Sequence, residues 1–127
     1  MQPEKIYVVK SSEGIKKIDE VSPCRYNAPV VLLVCSDRNI AWQNEFGSTY
    51  EMDATIVATH IILEATNLGI NSVWVKMFDK DKTKELFNLD DNIEPICLIP
   101  IGYRKEDCVP SVMHNNRKSL EETVKYV

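Results

Sequence analysis

The chain has 127 residues, 44% of them hydrophobic and 27% charged, with a formal net charge of −4. That length suits a single domain spanning residues 1–127, and an acidic balance without a basic block excludes nucleic acid as the main partner, since phosphate binding needs a clustered basic surface. The longest apolar run, Ala28 to Cys35, is too short to cross a bilayer, and the N-terminus lacks the three parts of a signal peptide, so the expected compartment is the cytoplasm.

In chain order, Ile6 to Val9 reads as a strand. Ser12 to Glu20 reads as a short amphipathic helix with Ile15 and Ile18 inward, broken at Ser22-Pro23. Val30 to Cys35 is a continuous apolar run of the kind found in strands buried on both faces. Ser36 to Gly47 is a polar connection carrying Trp42 and Phe46. Ser48 to Gly69 is the longest helix: Ser48 and Glu51 stand at capping-box spacing, and Gly69 supplies a left-handed terminus. Apolar residues cover most of its circumference, leaving a narrow stripe of Asp53, His60, Glu64 and Asn67, so it should be central and covered on several sides. Val73 to Val75 is expected to be extended, and Asp79 to N-cap a small helix ending at Phe87. Ile96 to Ile101 reads as a strand that Pro100 places near a sheet edge. Ser119 and Glu122 repeat the capping-box spacing before a last short helix or extended tail, Leu120 to Val127.

The chemistry carried by spacing alone is thin. There is no GxGxxG, Walker loop, GxSxG or HExxH. Cys24, Cys35, Cys97 and Cys108 form no CxxC, and Cys35 and Cys97 read as small buried hydrophobes. His60 reads as a hydrogen-bonded structural histidine, and Asp53 and Glu64 are too far apart to act as a carboxylate pair. Arg117, just before a helix start, could meet an anionic group; on composition alone a solvated surface arginine is the simpler reading.

Taken as a series, five segments resemble the flavin-dependent nitroreductase family. Gln2-Pro3 leading into Ile6 to Val9 is similar to the family's Asn-x-Gln-Pro-aromatic stretch and first strand. Ala28-Pro29-Val30 resembles the entry to its next strand. Asp53-Ala54 through Leu68-Gly69-Ile70-Asn71-Ser72-Val73-Trp74 resembles its long helix and the turn that follows. Ile99-Pro100-Ile101-Gly102-Tyr103 matches a Pro-x-Gly-Tyr strand end, and Arg117 to Glu122 resembles the closing Arg-x-x-Leu-Glu-Glu. A doubly wound alternative would want an acidic cluster or phosphate loop after the first strand, and Val9-Lys10-Ser11-Ser12 supplies no acid.

The resemblance implies an α+β fold, three-layer α/β/α, with a small mixed or antiparallel sheet around the long central helix. It implies FMN as cofactor, NAD(P)H as electron donor, and a nitro compound, quinone or similar small-molecule acceptor, with hydride passing through flavin N5 and no catalytic side chain required. Arg117 would be the remaining phosphate ligand. Lys76 and Met77 would turn backbone N–H groups toward the flavin N5 and O4 edge, Trp74 and Val75 would pack near the ring, and Gln2 borders the motif. The family's N-terminal helical segment with its Arg-Arg-Ser-type phosphate grip has no counterpart here, so flavin should be held more weakly than is usual for the family. A domain of the same type that binds flavin weakly or not at all, without catalysis, is the alternative. The resemblance also implies a homodimer through the Ser48 to Gly69 helix and the C-terminal tail, with the polar stripe of that helix at the contact.

Overall fold

The computed structural model describes residues 2–127. Four strands form an antiparallel sheet in the order β1-β2-β6-β5: β1 (Glu4–Val9), β2 (Val30–Asp37), β6 (Ile93–Gly102) and the short β5 (Asn71–Ser72). β2 and β6 are the central pair and supply most of the buried apolar side chains, as their continuous hydrophobic runs require. One face, with Val9, Val31, Leu33, Cys35 and Leu98, is covered by α1 (Ser12–Val21) and α3 (Lys80–Phe87). The other, with Val34, Ile96, Cys97 and Ile99, is covered by α2 (Tyr50–Asn67) through Ala54 and Ala58. The result is the expected three-layer α/β/α arrangement, and its sheet is wholly antiparallel.

The local signals explain most element ends. Ser11 caps α1 by accepting from the Gly14 N–H at 3.1 Å. Asp79 caps α3 by accepting from the Lys82 N–H at 3.0 Å, and Asn88 closes it in a left-handed conformation. Gly69, at φ +73°, ends α2 in a Schellman turn, with the Ile70 N–H on the Ala65 carbonyl (2.8 Å) and the Gly69 N–H on the Thr66 carbonyl (3.0 Å).

Several expectations are corrected. The capping box at Ser48 and Glu51 does not form: Thr49 is the N-cap residue of α2, its hydroxyl donates to Asp53 Oδ2 at 2.7 Å, and Glu51 pairs instead with Lys80 of α3. The polar connection after β2 contains a small hairpin, β3 (Gln43–Asn44) with β4 (Gly47–Ser48), that carries the exposed Phe46 at its tip. Pro100 lies in a central strand. Its carbonyl accepts from the Val73 N–H, so the side on which proline lacks a donor faces only the short β5. The extended segment pairs regularly at Asn71–Ser72 and then only at a single bridge, Val75 with Leu98.

Two features leave this chain short of cover. Only Ala54 and Ala58 of α2 are buried, while Met52, Ile56, Leu63 and Leu68 are 50–63% exposed, so the cover expected on several sides is not supplied within one chain. Every residue from Tyr103 to Val127 is exposed, including a 3₁₀ turn at Val112–Asn115 and α4 (Leu120–Thr123). The capping box at Ser119 and Glu122 does form, and the helix ends at Thr123, with Val124 extended.

Candidate functional site

The segment after α2 is where backbone groups are left to act. From Gly69 the chain runs along β6: Asn71 and Ser72 pair with Gly102 and Ile101, and the Val73 N–H donates to the Pro100 carbonyl at 3.3 Å. Val75 then exchanges both bonds with Leu98, at 2.9 and 3.0 Å. Alternation along this run sends Trp74 against the α2-side core and the buried Val75 against the opposite core.

Those bonds fix the next two peptide planes. In a trans peptide the C=O and the following N–H point in opposite directions. With the Val75 carbonyl held on the Leu98 N–H, the Lys76 N–H is turned away from the sheet. The Lys76 carbonyl accepts from the Phe78 N–H at 3.1 Å, which turns the Met77 N–H the other way from that carbonyl. Neither N–H has an acceptor among the described residues, and both residues are exposed. Two adjacent donors without acceptors among the described residues, at the end of an ordered strand edge, suit the acceptor edge of a planar ligand.

Side chains brace this segment from both ends. A register shift between Val34 and Cys35 disturbs the ladder to β6, and the Ile96 carbonyl there accepts from Lys76 Nζ at 3.0 Å. The hydroxyl of Ser22, which closes α1, donates to the Met77 carbonyl at 2.7 Å and accepts from the Cys24 N–H at 3.1 Å. The Asp79 N–H bonds the Val21 carbonyl at 3.0 Å.

Thus Trp74, Val75, Lys76 and Met77 are brought together, and the other two predicted site residues are not joined to them. Gln2 is exposed and lines a shallow cleft of about 220 Å³ with Pro3, Glu4, Asp53, Ile56 and Val57. Arg117 lies in the exposed tail and its guanidinium bonds the Asn116 carbonyl at 2.9 Å. No hydrogen bond or ion pair among the described residues links it to the 74–77 segment. A larger cleft of about 500 Å³, between β1 and α1 and reaching Phe87, is lined by none of the predicted residues.

The remaining candidates resolve into structural roles. His60 Nδ1 is 2.8 Å from the Ile56 carbonyl on the exposed side of α2. Cys35 and Cys97 are fully buried, and burial pushes both thiols up to about 12. Asp37, at the end of β2, accepts from Asn92 Nδ2 (2.7 Å) and the Asn39 N–H (2.9 Å), which with Lys5 nearby holds its carboxyl below the usual range. Ser22 was not legible in the sequence beyond a helix break: its contact to Met77 spans 55 positions and carries no spacing signal.

The layers and the strand-edge donors define an α+β protein of three-layer α/β/α type whose exposed backbone edge follows the long helix. Residues 22–103 match the Nitroreductase family, and the chain belongs to that family, one of oxidoreductases. A protein of Methanothermobacter thermautotrophicus, whose name couples NADH dehydrogenase with NAD(P)H nitroreductase, is 29% identical over 113 residues, covering 84% of this chain and 58% of that protein. The chain therefore spans less than two thirds of that relative's length. The crystal structure of a nitroreductase family protein from Clostridium difficile 630 superposes with a TM-score of 0.89 at 36% identity, over 98% of this chain and 73% of that one. An oxidoreductase containing FMN has the same fold at 21% identity and a TM-score of 0.69, over 82% of this chain and 57% of its own.

Proposed function

We propose that this chain forms the ring-edge half of an FMN site in an NAD(P)H oxidoreductase of nitroreductase type. The observation that carries the reading is the pair of N–H groups of Lys76 and Met77, in a braced segment and without acceptors among the described residues. Bound there, FMN would supply the redox chemistry, accepting a hydride equivalent from a nicotinamide and passing it to a nitro compound, quinone or similar small molecule. The chain's part is to bind and orient: the two N–H groups meet the N5 and O4 edge, and Trp74 with Val75 lies beside the ring. No side chain has to act as acid or base. The proposed compartment is the cytoplasm; among the described residues no helix is long and apolar enough to cross a membrane.

The proposed assembly is a homodimer. Met52, Ile56, Leu63 and Leu68 give α2 an uncovered apolar side, and each such side chain contributes about 1.5–3 kcal/mol when fully covered. A second copy would cover it by an isologous contact, with Asp53, His60, Glu64 and Asn67 as the polar groups of that contact. The exposed Thr123 to Val127 would reach across, and Arg117 would meet the phosphate in the assembled pair.

One observation favours a second reading, a nitroreductase-like domain that binds flavin weakly or not at all and does not catalyse. Among the described residues no hydrogen bond or ion pair links Arg117 to the ring-edge donors; its guanidinium bonds the Asn116 carbonyl. A flavin titration separates the two. The proposal expects FMN fluorescence to be quenched on addition of the protein, with Arg117→Ala weakening binding about ten- to a hundredfold, the equivalent of one charge-assisted hydrogen bond. Fluorescence that stays at the level of free FMN supports the second reading, and an Arg117→Ala variant that binds as well as the parent removes the phosphate assignment.

A further inference from the structure

We infer that Ser22 is a positioning residue that sets the aim of the Met77 and Lys76 N–H donors. Ser22 is 3% exposed, and its hydroxyl both accepts from the Cys24 N–H and donates to the Met77 carbonyl at 2.7 Å. The rotor therefore has one orientation. Ser22 is itself anchored, since its own N–H closes α1 on the Ile18 carbonyl at 3.0 Å. The Asp79 N–H, on the Val21 carbonyl, adds a second tie between the same two stretches. Upstream, Val75 is bonded on both sides to Leu98, and Lys76 Nζ reaches the bulge carbonyl of Ile96. Residues 76 and 77 are thus a two-residue span clamped at both ends, with their carbonyls engaged and their N–H groups without acceptors among the described residues.

Such a span is pre-organised: it meets a ligand without first being ordered. Removing the Ser22 hydroxyl frees the Met77 carbonyl, lets the tight turn at Met77 open, and blurs the direction of both donors. The consequence for redox rests on the FMN reading above. N5 of oxidised flavin accepts a hydrogen bond, whereas N5 of reduced flavin carries a proton, so a fixed N–H aimed at N5 favours the oxidised form. Loosening the span should reduce that preference about tenfold, a rise of about 30 mV in the two-electron potential.

The test has an arm without flavin and an arm with it. In the ligand-free protein, amide exchange at Phe78 and Asp79 should be about tenfold faster in Ser22→Ala than in the parent, as expected for loss of one buried hydrogen bond. Core amides of β2 and β6 should be unchanged, and Ser22→Thr, which keeps the hydroxyl, should restore protection. Lys76→Met, at an exposed position, is the second variant and should also speed exchange at Phe78 without unfolding the chain. Unchanged protection at Phe78 and Asp79 in both the alanine and methionine variants would overturn the clamp, whatever flavin does. With FMN added to the parent, the Lys76 and Met77 amide resonances should shift, and the Ser22→Ala potential should rise. A working clamp whose Lys76 and Met77 amides ignore FMN would overturn the positioning role together with the flavin reading. Amides that respond to FMN while the clamp fails would overturn the role of Ser22 alone.

Discussion

Asp37 is held as an anion by Asn92, the Asn39 N–H and Lys5, so its carboxyl protonates at lower pH in the folded chain than in the unfolded one. The unfolded state then binds the proton first as pH falls, and the stability Asp37 contributes is present above its unfolded value, about 3.9, and is lost as pH drops through the folded value. The stability of the parent to urea should fall between pH 5 and pH 3, and the Asp37→Asn variant should show a shallower dependence over the same interval. The cysteines give a second check on residue environments. Cys35 and Cys97, buried with thiols pushed up to about 12, should resist iodoacetamide in the folded protein at pH 8, while the exposed Cys108 reacts; mass spectrometry after brief labelling reads this directly. Their burial was legible because each sits inside an apolar run. The contacts of Ser22 and Lys76 were not legible, because each is made to a backbone carbonyl of a segment far along the chain, and a carbonyl has no residue type to recognise.

Elements with strong local chemistry were readable, and elements made by tertiary pairing were not. Asp79, Ser119 and Gly69 supply a carboxylate, a hydroxyl and a left-handed residue where an end requires one, and the ends lie there. The hairpin of Gln43–Asn44 and Gly47–Ser48 has no β-branched residue and no alternation, so nothing in it announces a strand. The box at Ser48 and Glu51 had the right spacing and failed because α2 begins one residue later, with Thr49 at the N-cap, while the Ser48 hydroxyl donates to the Trp42 carbonyl. The terminus of α2 offers a direct test of the link from helix end to site. Gly69 adopts φ +73° with open space around its missing Cβ, so Gly69→Ala meets no clash and costs only backbone strain, about 1–2 kcal/mol by chemical denaturation. Because the Schellman turn directs the chain onto β6, the same variant should also weaken FMN binding by more than its stability loss alone explains.

At the scale of the whole molecule, a sheet with helices on both faces leaves one helix side and the whole tail without cover, and the donors of Lys76 and Met77 without acceptors. In the proposed assembly a second copy would cover the first two and a flavin would accept from the donors. If the exposed side of α2 is the contact, Ile56→Asp together with Leu63→Glu should give a folded monomer with an unchanged far-ultraviolet spectrum and a loss of FMN affinity of at least a hundredfold. That loss would follow from the proposal that Arg117 meets the phosphate only in the assembled pair, together with the other contacts of the interface. The most direct test of the account is sedimentation of the parent protein with FMN, followed at the flavin's visible absorbance. The account predicts that this absorbance moves with a species of twice the mass of one chain. Flavin that remains at the free-ligand boundary while the protein sediments as a single chain would contradict it.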